Sequence, residues 1–382
     1  MGLLQRATED TRREGGLPVG HPRLHAGDAD DCGGLSVTSR RSAFAAVLLN
    51  LPGGGFAFVM ATGIVSLAAM RLGYDKVAAL LFAVNLLAFP VLCALLFVRL
   101  VRHPAAILGE LRRHRTAAGF LTAVAATSIL GDQFALLGSN DQAAAALWIC
   151  SLILWFGLVY AFFAAMTIAR VRPPLALGLD GSWLLAVVAT QAPAILATHV
   201  SGAFPRPGIT VFVSLCLFLL GSVLYLILIS LIVQRRLFEP MRPEQFTLPY
   251  WINMGAATIT ALAGTSLLST AGTNPLTAAF AQLIEAAIVL FWAIATWWIP
   301  LLVMLLIWRH IVHGVSLSFR SEYWSIVFPL GMYTAATWDL SRQNGAEFLA
   351  VIPRVWIWVA SAFWLFGLLG MILQLSHRVR RG

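Results

Sequence analysis

The residues of this sequence that could do chemistry are a few charged and titratable side chains within long apolar runs. Asp132 lies in the third run and His199 at the end of the fifth. Asp339 lies near the end of the ninth run, where Arg342 or Arg354 could pair with it. Inside a membrane a charge costs about 2.5–3.5 kcal/mol on insertion scales, so such residues should be paired or should face water. Histidine changes charge near neutral pH. Asp132, His199, Asp339 and Arg342 are therefore candidate titrating or mouth residues of a solute path, and each also fits a structural role.

A second feature is a large ring beside helix-breaking residues. Residues 323–340 are apolar enough for a bilayer, yet they contain Pro329 and Gly331, with Phe328 immediately before the proline. Proline removes a backbone donor, so a helix here should bend or open. Unsatisfied backbone at membrane depth is tolerated only inside protein or beside a water-filled cavity. The segment should therefore face the protein interior beside a solute path, unless it is a kinked structural helix.

Signals for other chemistries are missing. The sequence contains no nucleotide-binding loop, metal-ligand spacing or nucleophile elbow, and its apolar runs hold no clustered Asp, His, Cys and Glu. The four cysteines lack a CxxC spacing, so neither a disulfide framework nor a zinc site is expected. Cys93, Cys150 and Cys216 are expected to be buried. We expect no enzyme, no cofactor and no metal.

Composition indicates an all-helical, multi-pass membrane protein. Of 382 residues, 59% are hydrophobic and 11% are charged, whereas soluble domains carry about 25% charged residues. The net charge of +9 could suggest a nucleic-acid partner. However, the basic residues lie in short loops between apolar runs, which is a signal of membrane topology. The expected partner is the lipid bilayer, and no nucleic acid is expected.

Ten apolar runs can be counted, each about long enough to cross a membrane as a helix. They lie at about 54–73, 77–98, 117–138, 143–169, 180–201, 208–234, 249–271, 276–307, 323–340 and 351–375. The third run is interrupted by Asp132 and Gln133. The eighth is long, and either a tilted helix or two pieces around Pro300 would account for it.

The charged loops orient these runs. Twenty-one of the 26 Lys and Arg residues lie on the side of the N-terminal tail. The positive-inside rule then places both termini in the cytoplasm of a protein of the plasma (inner) membrane. Residues 1–42 are polar and should form a disordered cytoplasmic tail, residues 43–378 the ten-helix transport domain, and residues 379–382 a basic cytoplasmic end.

The runs also repeat. The odd-numbered ones begin near 54, 117, 180, 249 and 323, which predicts five helical hairpins in one orientation. The odd helices hold more hydroxyl and amide groups, so we predict that they form an inner set and the even helices an outer set. The helix breaks predicted to line the pore are Gly63, Gly131, Pro193, Gly264, Pro329 and Gly331. Because no Lys or Arg lies deep in a run, an anion path would rely on dipoles, hydroxyls and Arg-rich mouths.

Three stretches carry a resemblance to a known family. "FAFVMATGIVSLA" at 56–68, "YWINMGAATI" at 250–259 and "YWSIVFPLGMYTAAT" at 323–337 resemble the tellurite-resistance/dicarboxylate transporter family. Its members include slow-type plant anion channels, yeast malate permeases and fungal sulfite exporters. The resemblance covers about residues 50–378, and the Phe-Pro-Leu-Gly wording is closer to the permease and exporter branch.

The resemblance implies a homotrimer in which each subunit has its own pore, lined by the five inner helices. It also implies that Phe328 plugs that pore, because Trp324, Phe328 and Pro329 match the family's "Trp-x-x-x-Phe-Pro" pattern. The expected function is transport of small anions, either a C4-dicarboxylate such as malate or sulfite, chloride or nitrate. Alternatives are a proton-coupled dicarboxylate carrier, with Asp132 or His199 titrating, and a scaffold or tellurite-resistance determinant without a conducting path.

Overall fold

The computed structural model describes residues 53–381, except 171, 175–177, 317–320 and 344. The described residues are largely helical and contain no strand, which confirms the predicted all-helical membrane protein. The predicted tail at 1–42 lies outside the described residues. The last helix extends to Arg381 and so includes most of the predicted basic end.

The described residues form ten helices of 15 residues or more, and one helix occupies each of the ten apolar runs. They are α1 Ala57–Arg71, α2 Asp75–Arg102, α3 Thr122–Leu136, α4 Asp141–Ile168, α5 Leu185–His199, α6 Pro207–Phe238, α7 Ile252–Leu268, α8 Ala281–Ile307, α9 Trp324–Ser341 and α10 Val351–Arg381. By length and composition, eight of the ten can cross a membrane; α7 and α9, which have 17 and 18 residues, are the other two.

Burial alternates along the chain. In the segment that contains α5, 94% of the most apolar stretch is buried, whereas in α2 the share is 11%. The other odd-numbered helices are also largely buried, and the other even-numbered ones largely exposed. The odd helices are rich in Gly, Ala, Ser and Thr, which allow close approach of helix backbones. The even helices expose large apolar side chains, which suits contact with lipid.

The five odd helices pack as a closed ring. Helix α1 contacts α3, α3 contacts α5, α5 contacts α7, α7 contacts α9, and α9 returns to α1. Each odd helix also packs against the even helix that follows it in the chain. The even helices therefore surround the ring, and the ring encloses an axis.

Each odd helix begins with a 3₁₀ turn, and neighbouring turns contact each other around the ring. These turns are Gly53–Phe56, Ala117–Leu121, Gly181–Leu184, Leu248–Trp251 and Ser321–Tyr323. Glycine permits the contact between two of them, because a Cβ on Gly181 would lie 2.2 Å from the Pro249 carbonyl oxygen. The turns thus hold the N-terminal ends of the odd helices together.

Every even helix donates a side-chain hydrogen bond to the odd helix of the next repeat. The bonds run from Asn85 Nδ2 to Gln133 Oε1 (2.9 Å), Trp155 Nε1 to Thr190 Oγ1 (3.0 Å), Tyr225 Oη to the Asn253 carbonyl (3.1 Å), Trp292 Nε1 to Thr337 Oγ1 (3.0 Å) and Trp364 Nε1 to Thr62 Oγ1 (2.9 Å). The last joins α10 to α1, 302 positions apart. The cycle is therefore complete.

Three expectations from the sequence differ from the structure. Helix α9 was expected to bend or open at Pro329; it does not open but continues through Pro329 and Gly331, and the Pro329 ring packs against Gly255 of α7. The eighth run is two pieces, but they divide at Phe280, between the short helix Pro275–Ala279 and α8. Cysteines 150 and 216 are exposed and Cys93 is half-buried, because all three lie on even helices.

Trp364→Phe should destabilise the protein by about 0.6–1.7 kcal/mol, the range measured for hydrogen bonds between membrane helices. A smaller aromatic ring remains at the buried position, and the bond that closes the cycle onto Thr62 is lost. Thermal unfolding of the purified protein in detergent measures the effect. Trp358→Phe is the control, because that ring is 63% exposed on the same helix. Equal unfolding temperatures for the two variants would contradict the closing role of the bond.

Candidate functional site

A cavity lies on the axis of the helix ring. Its free volume is about 10 Å³, about enough for one water molecule, and it is partly open to solvent. All five odd helices contribute to its wall, and eight of its eleven lining residues are apolar. These eight are Ile64, Leu67, Ile129, Ala192, Ile195, Ile259, Leu262 and Met332.

The other three lining residues are Arg71, Asp132 and His199. Arg71 is the last residue of α1, and its Nε donates to both carboxylate oxygens of Asp339 on α9, at 3.0 and 3.1 Å. Its Nη1 donates to the Leu67 carbonyl oxygen at 3.3 Å. The Arg71 side chain is 11% exposed. The positive charge of Arg71 therefore lies near the C-terminal end of α1, where the helix dipole favours positive charge.

A second pair lies on the same cavity wall. The Nδ1 atom of His199, the last residue of α5, is 2.8 Å from Oδ1 of Asp132 on α3. The aspartate is almost fully buried and the histidine is partly exposed. Each pair joins neighbouring helices of the ring, so the two pairs place four titratable groups around one end of the cavity.

Phe328 is fully buried and is not among the residues that line the cavity. It precedes Met332, a lining residue, by one helical turn and therefore lies on the same face of α9. Two close contacts bracket that face. Pro329 packs against Gly255 of α7, and Gly331 against Ile64 of α1. Phe328 therefore lies toward the ring axis, one turn from the cavity in the direction of the 3₁₀ turns.

The other four odd helices have smaller or more flexible residues at this level. On each odd helix, one residue lies one helical turn before the first residue that lines the cavity. These residues are Met60, Ala125, Val188, Gly255 and Phe328. All five are buried, and Phe328 is the one aromatic residue among them. At this level, a phenyl ring meets mostly small side chains.

The predicted helix-break residues are placed between helices. None of the six lines the cavity. A Cβ would lie 2.4 Å from Ile129 at Gly63, 2.4 Å from Leu196 at Gly131 and 2.6 Å from Ile288 at Gly264. The carbonyl of Pro193 accepts a hydrogen bond from Trp148 Nε1 at 3.1 Å. These residues allow helices to approach closely.

The structure brings Asp132 and His199 together and gives Asp339 a different partner from those the sequence suggested. Asp339 pairs with Arg71, whereas Arg342 is exposed, with its guanidinium 5.7 Å from the Trp338 ring centre. Sequence reasoning did not select Arg71, because it lies near the end of its apolar run and therefore looks like a loop residue. The repeat indicates Arg71 as a site residue. Arg71 lies seven positions after the lining residue Ile64. His199 and Asp339 likewise lie seven positions after the lining residues Ala192 and Met332.

No metal site was found, since the described residues contain no group of three or more His, Cys, Asp or Glu side chains suited to a metal ion.

Residues 50–372 match the SLAC1 family, described as voltage-dependent anion channel. An uncharacterized membrane protein of Mycobacterium tuberculosis is 39% identical over 158 residues, which are 41% of this chain and 80% of the relative. An uncharacterized transporter of Methanocaldococcus jannaschii is 25% identical over 344 residues, which are 85% of this chain and 94% of the relative. A second uncharacterized transporter of that organism is 22% identical over 341 residues, which are 85% of this chain and 93% of the relative.

Proposed function

The chain belongs to the SLAC1 family of voltage-dependent anion channels, a family of membrane transporters, and from that premise we propose that it conducts small anions along the axis of the helix ring. The substrates in this proposal are sulfite, chloride, nitrate or a C4-dicarboxylate such as malate. The observation that carries the proposal is the axial cavity, to which all five odd helices contribute. Phe328 is the proposed gate, because it is the large ring at the next level of the axis.

The proposal includes ten crossings of the plasma (inner) membrane, arranged as five hairpins with both termini in the cytoplasm. Helix α7 and its preceding turn together have 21 residues, about enough for a bilayer core. Helix α9 has 18. Both are surrounded by other helices, so neither needs to match the lipid thickness along its whole length. The distribution of Lys and Arg supports this orientation.

In this orientation, the helix termini favour anions at the cytoplasmic end of the axis. The N-terminal ends of all five odd helices meet at the cytoplasmic side, and helix N-termini attract negative charge. At the other end, the Arg71 guanidinium on the cavity wall is paired with Asp339. We also propose a homotrimer, as the family resemblance implies. The exposed apolar side chains of the even helices would face lipid and neighbouring subunits.

Phe328→Ala should raise anion conductance severalfold in proteoliposomes or oocytes. Removing the phenyl ring leaves a methyl group at this level, so the space around the axis becomes wider. The other residues at this level are Met60, Ala125, Val188 and Gly255. The matched control is Phe366→Ala, which removes an equally large ring that is 67% exposed on α10. The control should conduct like the wild type. A Phe328→Ala conductance equal to that of the wild type would rule out Phe328 as the gate.

A second candidate function is proton-coupled dicarboxylate transport. The observation in its favour is the contact between His199 and Asp132 on the cavity wall, at 2.8 Å. Such a contact can hold a proton between the ring nitrogen and the carboxylate, and uptake of that proton would offset one charge of a dianion. The axial cavity weighs against a scaffold or a tellurite-resistance determinant that has no conducting path.

A pH gradient, acid outside, should drive malate uptake into vesicles if the chain is such a carrier. His199→Gln and Asp132→Asn should then abolish the response to the gradient while leaving the protein folded. His313→Gln is the control, because His313 is exposed and lies beyond α8. Chloride or nitrate flow that ignores the gradient in wild type and variants alike would favour the channel.

A further inference from the structure

We propose that an anionic phospholipid binds at the C-terminal end of α2, with its phosphate on a surface of arginines and its acyl chains against α2. The arginine surface consists of Arg102, Arg112, Arg113 and Arg115, which are all exposed. The proposal goes beyond the proposed function, because it concerns the outside of the helix ring and requires no path along the axis.

A buried ion pair fixes the backbone that carries these arginines. Helix α2 ends at Arg102, and after His103 a short helix follows, Pro104–Leu111. The fully buried side chain of Arg99 donates to both carboxylate oxygens of Glu110 on the short helix, from Nη1 to Oε2 at 3.2 Å and from Nη2 to Oε1. The short helix is therefore held at the end of α2, with Arg102 before it and the other three arginines after it.

The same ion pair neutralises the acidic group of this segment. Residues 99–116 contain five arginines and a single acidic residue, Glu110. Because Arg99 balances Glu110, the arginine surface gives the segment a net charge of +4 when its histidines are neutral. In the described part of the chain, none of the four guanidiniums has a hydrogen-bond or ion-pair partner. Their charge is thus available to a negatively charged ligand.

Apolar side chains adjoin the arginine surface. Leu100 and Val101 are exposed on the last turn of α2. On the short helix, Leu108 is exposed and lies one turn before Arg112 on the same face, whereas Ile107 is buried on the inner side. Exposed hydrocarbon beside cations, at the end of a helix long and apolar enough to cross a membrane, is typical of a membrane interface.

An anionic phospholipid fits both halves of this surface. The planar fork of a guanidinium matches a phosphate group, and a basic residue near an anionic membrane surface gains about fivefold in affinity. The acyl chains of the same molecule would cover the exposed side chains of α2. A zwitterionic phospholipid offers the same chains, but its ammonium group offsets the charge of its phosphate. A soluble phosphate compound would use the arginines and leave the apolar side chains uncovered.

Binding of two lipids to the purified full chain in detergent tests the head-group half. Dioleoyl phosphatidylglycerol and dioleoyl phosphatidylcholine, which share their chains, are titrated and followed by native mass spectrometry. Phosphatidylglycerol should bind more tightly. Arg102→Gln combined with Arg112→Gln should lower its affinity about 25-fold, at about fivefold per arginine, and should affect phosphatidylcholine much less. Equal binding of the two lipids to the wild type would overturn the proposal.

Two further double variants control for charge and for folding. Arg206→Gln with Arg354→Gln removes two exposed arginines near the N-terminal ends of α6 and α10, and should bind phosphatidylglycerol like the wild type. Arg102→Lys with Arg112→Lys keeps the charge and should retain most of the binding. The same loss in either of these variants as in the first one would show that the arginine surface is not the binding site, and would overturn the proposal.

The acyl-chain half is tested by Leu108→Ser and by a soluble competitor. Leu108→Ser leaves the arginines in place and should weaken both lipids alike, since it replaces an apolar contact. sn-Glycerol 3-phosphate carries the phosphate without the chains, so an equal concentration should not displace phosphatidylglycerol. Displacement would mean that the surface binds soluble phosphates, and the lipid assignment would be wrong. No transport is measured, so these results and the conduction proposal can fail separately.

Discussion

The structure depends on the closing of a ring of five helices by hydrogen bonds between repeats. A bilayer core offers no water to polar groups, so each must find its partner within the protein. Here, every even helix gives one donor to the odd helix of the following repeat, and Trp364 and Thr62 connect the last repeat to the first. The Trp, Tyr and Asn donors also bury apolar surface, so each contact combines packing with a directed bond.

Ring closure has two consequences for the axis. Five helices around a centre leave a small space that their side chains do not fill, and this space is the cavity. Closure also makes α1 and α9 neighbours, which brings Arg71 to Asp339 although they are 268 positions apart. Helices α3 and α5 bring Asp132 to His199 in the same way. Charges that would be costly alone are thereby paired at one end of the axis.

The sequence predicts the helices well because lipid imposes a strong pattern on them. A hydrocarbon-facing helix must be apolar over its whole length, so α2, α4, α6, α8 and α10 stand out by hydropathy. The hydroxyl groups of the odd helices indicate burial for a related reason, since hydroxyls satisfied inside the protein need not face lipid. Thr190 and Thr337, for example, each accept a bond from a tryptophan on the preceding even helix.

The site was harder to predict because it depends on contacts across the ring. The partner of Asp339 is on a helix at the other end of the chain, and nearby Arg342 and Arg354 were the wrong candidates. Gly131 and Gly264 indicate close approach only once Leu196 and Ile288 are known to face them. Similarly, the Pro329 ring packs on α7 because Gly255 leaves room for it, a contact that no local pattern contains.

The central claim is that the ring encloses an anion path, and reversal potentials test it most directly. The purified protein is placed in a planar bilayer under a gradient of potassium chloride, and nitrate, sulfite or malate then replaces chloride on one side. For an anion path, the current should reverse near the equilibrium potential of the anion, and the reversal potential should shift with each replacement. A reversal potential that follows potassium, or a bilayer in which well-folded protein carries no current, would contradict it.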